Sequence, residues 1–178
     1  NLNKAIEGYR GIEYGMGEYS SKIVMQDLFI RSGDLERADS EMDSVLEMGQ
    51  QLGGEDRALL ILLRLKFAQG DYTNCLEACE TFFDIQPEMK HEIWIAQVYE
   101  SAAKAYQHKD VAVLSRAEAL MDSLLEMQNM LYTCEAYTVT AAAYQTLGRH
   151  DAADSLRTIA IGFAEEKKLT GELKRLSN

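Results

Sequence analysis

One short segment of this sequence begins like a catalytic metal motif. His91-Glu92-Ile93-Trp94-Ile95 starts as the His-Glu-x-x-His pattern of zinc proteases does, in which two histidines four residues apart share one helix face. Ile95 stands where the second histidine would have to be, so the pair of ligands cannot form. The segment is interpreted as the start of a helix after Pro87, and no catalytic residue is assigned to it.

Cysteine offers a second candidate for metal chemistry. Cys75 and Cys79 are four residues apart, so two thiolates could share one helix face, but tetrahedral zinc would need two further ligands from elsewhere. The three cysteines, with Cys134 as the third, are not a disulfide framework. Packing as small apolar side chains is the favoured interpretation, and no metal is predicted.

Other chemistry-bearing patterns are absent from the sequence. It contains neither the Gly-x-Ser-x-Gly elbow of a nucleophilic serine nor the glycine-lysine loop that cradles phosphates. His108 and His150 flank probable turns and carry no pattern that would make them a site. The sequence therefore predicts no cofactor and a protein that is not an enzyme.

Charge and hydropathy narrow the class of partner. The chain has 178 residues and a formal charge of -11, from 29 acidic and 18 basic residues, and its longest basic run is Lys167-Lys168. Direct nucleic-acid binding needs a basic face and is not expected. The longest apolar stretch, residues 58–63, is too short to enter a membrane, so a soluble chain is expected. Because it begins at Asn1, we expect a fragment that lacks its native start, and its localisation is unknown.

An internal repeat is the strongest pattern in the chain. Residues 37–48 match residues 116–127 at eight of twelve positions, with an offset of 79 residues. Ala153-Asp154-Ser155 repeats Ala38-Asp39-Ser40. The long offset corresponds to two units of about 39–40 residues, a period typical of helical repeat proteins.

Four turns mark the repeats. Each separates two apolar segments, and each is followed by a small residue: the turns are Gly33-Asp34, Gly70-Asp71, Lys109-Asp110 and Gly148-Arg149, and the small residues are Ala38, Cys75, Ala117 and Ala153. Glycine would supply the left-handed backbone that ends the first helix, and Asp34 or Asp71 would cap the second. The small residue would let two helix backbones approach closely.

The hydrophobic period then places the helices. We predict four helix pairs and two flanking segments, with helices at 19–32 and 35–51, 55–69 and 72–84, 88–107 and 111–128, 131–147 and 150–167, and additional helices at 2–16 and 171–176. The expected fold is an all-α single domain over residues 1–178, with repeats at 19–54, 55–87, 88–130 and 131–167 and flanking helices at 1–18 and 168–178.

The chain resembles the tetratricopeptide repeat family. The resemblance is best between Asp56 and Met89, where Gly70, Tyr72, Cys75 and Pro87 match the turn glycine, aromatic, small residue and closing proline of that family. Its units of about 36–42 residues are longer than the family's 34, and most lack the family's first-helix tryptophan. The resemblance implies an α-solenoid whose first helices line a concave groove, with a generic α-solenoid as the alternative.

The resemblance also implies which side chains face the groove. By the register of the first helices, the peptide-binding residues are Arg57, Leu60, Arg64, Phe67, Gln97, Glu100, Lys104, Gln107, Glu135, Thr138 and Gln145. Arg64 and Lys104 stand at equivalent positions and could meet a carboxylate of the partner. Pairing of these two bases with neighbours such as Glu100 is the simpler interpretation of the same residues.

The function expected from this architecture is protein–protein interaction. A scaffold or adaptor would bind a peptide or protein partner of unknown identity in the groove. The alternative is a sensory or regulatory segment of a larger bacterial signalling protein or transcription regulator. A homodimer through residues 1–16 or 169–178 is a further expectation, because a solenoid with an uncapped end exposes apolar surface.

Overall fold

Helices and short turns make up the part of the chain that the structure describes. A computed structural model describes residues 2–11, 14–127, 130–169 and 172, and contains no strand among them, which confirms the all-α class. The elements are α1 (Leu2–Gly11), α2 (Gly15–Ser32), α3 (Leu35–Leu52), α4 (Glu55–Ala68), α5 (Tyr72–Asp84), α6 (Lys90–His108), a 3-10 helix (Val111–Leu114), α7 (Ser115–Glu126), α8 (Met130–Thr146) and α9 (His150–Glu166).

The eight helices predicted as four pairs are all present. Their limits lie close to the predicted ones except in α2, which begins at Gly15 instead of residue 19, and in α7, which begins at Ser115 instead of residue 111. The flanking helix predicted at 2–16 is observed as α1, which ends at Gly11. Residues 12 and 13, and the predicted helix at 171–176 apart from Glu172, lie outside the described residues.

The third pair departs from the predicted helix at 111–128. A 3-10 turn occupies Val111–Leu114 before α7 begins, and the Asp110 carboxylate accepts a hydrogen bond of 2.9 Å from the Ala112 amide. Two β-branched valines, which restrict their own side-chain rotamers in a helix, lie in this turn. The turn accommodates the three residues by which the spacing from Lys109 to Ala117 exceeds that from Gly33 to Ala38.

Glycine ends the first helices as predicted. Gly33, Gly70 and Gly148 have φ values of 80°, 75° and 74°, a left-handed conformation that side chains with a Cβ disfavour. At each turn the glycine amide donates to the carbonyl three residues earlier, and the next amide donates to the carbonyl five residues earlier. This double hydrogen bond is the Schellman motif, and its three occurrences give the repeats a common turn. Lys109 takes the same conformation in the third repeat, with φ 56°.

Only one of the two predicted aspartate caps forms. The Asp71 carboxylate accepts from the Asn74 amide at 3.3 Å and from the Asn74 side chain at 2.6 Å. Asp34 makes no side-chain cap, so that expectation was wrong. The difference lies three residues on, where Arg37 replaces asparagine and places its guanidinium 4.4 Å from the centre of the Phe29 ring instead of holding the carboxylate.

The second helices bury the same positions in each repeat. The predicted small residues Ala38, Cys75, Ala117 and Ala153 are all 0% exposed, which confirms that they lie at helix crossings. In the first three repeats, the residues four and seven positions further on are also buried: Met42 and Val45, Cys79 and Phe82, Met121 and Leu124. This stripe is the side of each second helix that packs against the first helices.

The chain divides into two compact units, residues 1–86 and 87–178. Within the first, α2 packs against both α3 and α4, and α4 packs against α5. Within the second, α8 packs against α6, α7 and α9. First helices therefore lie side by side in each compact unit, while the assignment of the whole chain to one domain stays a prediction. None of the described helices has the length and apolar character needed to cross a membrane.

Candidate protein-binding surface

The predicted groove residues lie on three first helices. Arg57, Leu60, Arg64 and Phe67 belong to α4, residues 97–107 of the set belong to α6, and Glu135, Thr138 and Gln145 belong to α8. Because α6 contacts α8 directly, the residues of these two helices belong to neighbouring elements of one compact unit. The α4 residues belong to the other compact unit.

The four α4 residues differ sharply in exposure. Arg57 is exposed and Phe67 is half-buried, with its ring edge-on to Tyr72 at 5.6 Å between centroids. Leu60 is only 2% exposed, and Arg64 is 7% exposed. A partner on the surface of α4 would therefore reach Arg57 and Phe67 directly, whereas the binding role assigned to the whole set stays a prediction.

Arg64 has an acidic neighbour on α2. Its Nη1 lies 3.8 Å from Oδ1 of Asp27, and Oδ2 of the same carboxylate accepts a 2.6 Å hydrogen bond from Nε of Arg31. Asp27 thus lies between two guanidinium groups. A carboxylate of a partner would have to compete with Asp27 for Arg64, because the local charge of the base is already balanced.

Lys104 is likewise paired within its own helix. Its Nζ donates to Oε1 of Glu100 at 2.6 Å, one helical turn away. This is the pairing that the simpler interpretation of the sequence anticipated. Gln97 is half-buried and Gln107 is exposed on the same helix, so α6 offers amide groups more readily than an unbalanced positive charge.

On α8 the predicted residues make short polar contacts. Thr138 donates to the carbonyl of Cys134 at 2.7 Å, and the Gln145 amide oxygen accepts from Nη1 of Arg157 on α9 at 3.3 Å. Glu135 is 3% exposed, and its carboxylate accepts a 2.8 Å hydrogen bond from the Tyr99 hydroxyl on α6. This buried bond ties the two first helices together.

Polar contacts also link first helices to second helices. Nζ of Lys66 on α4 donates to Asp39 on α3 at 2.8 Å, and Gln69 donates to the same oxygen at 3.1 Å. These two hydrogen bonds, that of Lys66 first, lower the pKa of Asp39. The Tyr144 hydroxyl on α8 donates to Glu118 on α7 at 2.8 Å.

The first helices and the second helices differ in net charge. The first helices α2, α4, α6 and α8 together carry seven acidic and seven basic residues, whereas the second helices α3, α5, α7 and α9 carry fifteen acidic and three basic residues. The excess negative charge of the chain therefore lies on the second helices.

Residues considered for metal chemistry are engaged in packing. The His91 ring lies 5.2 Å from the ring of Tyr132 between centroids, and Glu92 is 5% exposed. Cys75, Cys79 and Cys134 are all buried. Within the described part of the chain, no three His, Cys, Asp or Glu side chains come close enough together to hold a metal ion.

Sequence reasoning missed Asp27 and Tyr99, which organise this surface. A signal for Asp27 was present, because Asp27 and Arg64 both lie six residues before a turn glycine, in successive repeats and with opposite charge. No comparable spacing marks Tyr99, whose partner is 36 residues away.

Comparison with known proteins identifies no relative of this chain. No family model, curated protein or solved structure matches this chain.

Proposed function

We propose that this protein is a tetratricopeptide-like α-solenoid that binds a peptide or protein segment along its first helices. The observation that carries the proposal is the repeated helix pair, with the same left-handed glycine turn in three repeats and a fully buried small residue in all four. Stacked pairs of this kind bury a continuous core and leave an extended face for recognition.

The chemistry of the first helices supports a client of low net charge. Three glutamines, Gln97, Gln107 and Gln145, reach the surface of the second compact unit. Each amide offers both donors and an acceptor, which suits the backbone of an extended segment. Lys104 and Arg64 are balanced by Glu100 and Asp27, so the proposal assigns the client no requirement for a terminal carboxylate.

The test compares two variants that make the same change in net charge. One carries Gln97→Lys and Gln107→Lys on α6, and the other carries Asp122→Asn and Glu126→Gln on α7. A partner captured by the wild-type chain should lose about tenfold or more in affinity for the α6 variant and bind the α7 variant unchanged. Circular dichroism and thermal melts establish that both variants are folded.

The opposite result would place the binding surface on the second helices. If the captured partner is lost with the α7 variant and retained with the α6 variant, the second helices bind it and the proposal is wrong. Equal binding to all three proteins would place recognition away from both faces and would also contradict it.

A further inference from the structure

An exposed apolar stripe runs along α2. Met16, Val24 and Leu28 are 41%, 49% and 51% exposed, and their spacing in multiples of four places them along one side of the helix. With 18 residues, α2 is about 27 Å long. Its stripe is not covered by any described part of the chain.

This side is covered in two of the other three first helices, α4 and α8, whereas in α6 the equivalent residues are Glu100 and Lys104, which form an ion pair at the surface. Val24 and Leu28 lie nine and five residues before the turn glycine, and the residues at these positions in α4 are Ile61 and Leu65. Ile61 is 2% exposed and Leu65 is 0% exposed, in one cluster with Ala38, Met42 and Val45 of the preceding second helix. In α8 the equivalents Val139 and Ala143 are also buried, at 8% and 0%.

The helix α1 does not take this covering role. It has only ten residues and packs on a neighbouring side of α2, where Arg10 and Glu18 form a 2.6 Å ion pair and Leu2 lines a pocket with Met25 and Phe29. Val24 and Leu28 remain half exposed beyond it. The first repeat therefore presents an apolar stacking face of the kind that polar terminal helices cover in closed solenoids.

The last second helix is built differently. In α9 the position of Met42, Cys79 and Met121 is taken by Arg157, which pairs with Asp154 at 3.2 Å. Arg157 leaves α9 without the apolar side chain that the other second helices bury at this position. It also makes α9 of another copy a poor cover for the apolar stripe of α2, which argues against head-to-tail chains.

We infer that the stripe on α2 binds the same stripe of a second copy of this chain, with the two α2 helices antiparallel about a two-fold axis. Electrostatics favour this place over the acidic second helices. The first 33 residues contain four acidic and four basic residues, so they have no net charge in a chain of charge -11. Asp27 and Arg31, beside the stripe, neutralise each other at 2.6 Å. Two copies meeting through the acidic second helices would instead repel.

The area that the contact buries sets the affinity expected of the dimer. A single helix face about 27 Å long buries less than the roughly 800 Å² per partner of a standard interface, so we expect a dimer that dissociates in the micromolar range. An isologous contact of this kind closes on itself and gives dimers without larger aggregates.

Mass measured against concentration tests the dimer. In sedimentation velocity from about 5 to about 500 µM, the 178-residue chain should pass from 20.0 kDa to twice that mass. Val24→Glu and Leu28→Glu should each raise the dissociation constant at least tenfold. The matched control is Ile159→Glu, at a residue 46% exposed on α9, which should leave the dissociation constant unchanged. Melting curves report whether each variant folds.

A cross-link tests the two-fold arrangement independently. In an antiparallel pair centred near residue 24, a Val24→Cys thiol lies beside its own copy and should form an interchain disulfide on mild oxidation. The native Cys75, Cys79 and Cys134 are buried and do not compete. Ser155→Cys, at an exposed residue of α9, should form no interchain disulfide under the same conditions.

Three results would overturn the inference. They are a monomer across the whole concentration range, a dimer that survives Val24→Glu and Leu28→Glu in folded protein, and a Val24→Cys chain that cross-links no faster than the Ser155→Cys control. The proposed client-binding function does not depend on any of them, because its test uses α6 and α7.

Discussion

Gln26 lies at the centre of the first repeat with its side chain fully enclosed. It is 0% exposed, and neither its amide nitrogen nor its amide oxygen has a hydrogen-bond partner. The residue at the equivalent position is Leu63 in α4 and Ala141 in α8, both 0% exposed. An amide without partners in this place destabilises the fold, because its hydrogen bonds to water are lost on burial.

The substitution Gln26→Leu should therefore stabilise the protein. We expect the free energy of unfolding to rise by about 1–2 kcal/mol in urea titrations, since leucine fills a similar volume without an unsatisfied polar group. Gln51→Leu, at an exposed glutamine of α3, is the control and should change little. A loss of stability in Gln26→Leu would show that the amide binds something essential, such as a buried water.

Tyr144 gives the second prediction at this scale, and it concerns pH. Burial first, and then the hydrogen bond to Glu118, raise the pKa of Tyr144 to about 12. Its hydroxyl keeps its proton in the folded chain at pH values where an unfolded tyrosine, with a pKa of about 10, has lost it. The contribution of Tyr144 to stability is thus complete below pH 10 and is lost between about pH 10 and pH 12.

Ultraviolet titration of the phenolate measures this directly. Tyr144 should ionise near pH 12 in folded protein, and the phenolate signal near that pH should fall by one tyrosine in Tyr144→Phe. Glu118→Gln should lower the pKa of Tyr144 only in part, because burial is the larger cause. If the signal near pH 12 is unchanged in Tyr144→Phe, it belongs to other tyrosines and the assignment is wrong.

At the scale of the element, the second helices carry like charges one turn apart. The pairs Asp43 and Glu47, Glu80 and Asp84, and Asp122 and Glu126 occupy equivalent positions in three repeats, and all six side chains are exposed. Like charges four residues apart destabilise a helix by a few tenths of a kcal/mol per pair at low salt. The acidic surface of these helices is thus maintained at some loss of stability.

Neutralising one member of each pair should recover that loss. The triple variant Asp43→Asn, Glu80→Gln, Asp122→Asn should raise the free energy of unfolding by about 0.5–1.5 kcal/mol near 10 mM salt. The gain should largely vanish at about 1 M salt, where the Debye length falls to about 3 Å. Asp39→Asn is the contrasting control, because it breaks the pair with Lys66 and should destabilise. A gain that is independent of salt would mean that repulsion is not its cause.

At the scale of the whole molecule, the helices were largely predictable and the surface was not. Helix limits follow from local signals, namely glycine turns with φ near 75° and a buried small residue after each turn. The 3-10 turn at Val111–Leu114 was missed because Lys109 takes the role of glycine and its sequence gives no sign of it. The division into two compact units depends on contacts between helices that no local pattern encodes.

Prediction of the binding surface from the sequence was limited in the same way. Exposed positions such as Arg57 and Gln107 follow from helical period alone. The burial of Leu60 and Arg64 depends on the exact packing of α4, and the pairing of Arg64 with Asp27 joins residues 37 positions apart. The helix register of a similar family predicts on which side of a helix a residue lies. Whether that residue is exposed depends on the neighbouring helices that cover that side.

The three buried thiols can serve as internal probes of how often the surrounding helices open. Cys75 and Cys79 lie on α5, and Cys134 lies on α8, at 0%, 1% and 0% exposure. A thiol reagent can react with them only when the surrounding helices open. The rates of labelling at α5 and at α8 therefore report the opening free energies of the second and fourth repeats separately, without any introduced probe. They show whether the two compact units unfold together or in turn.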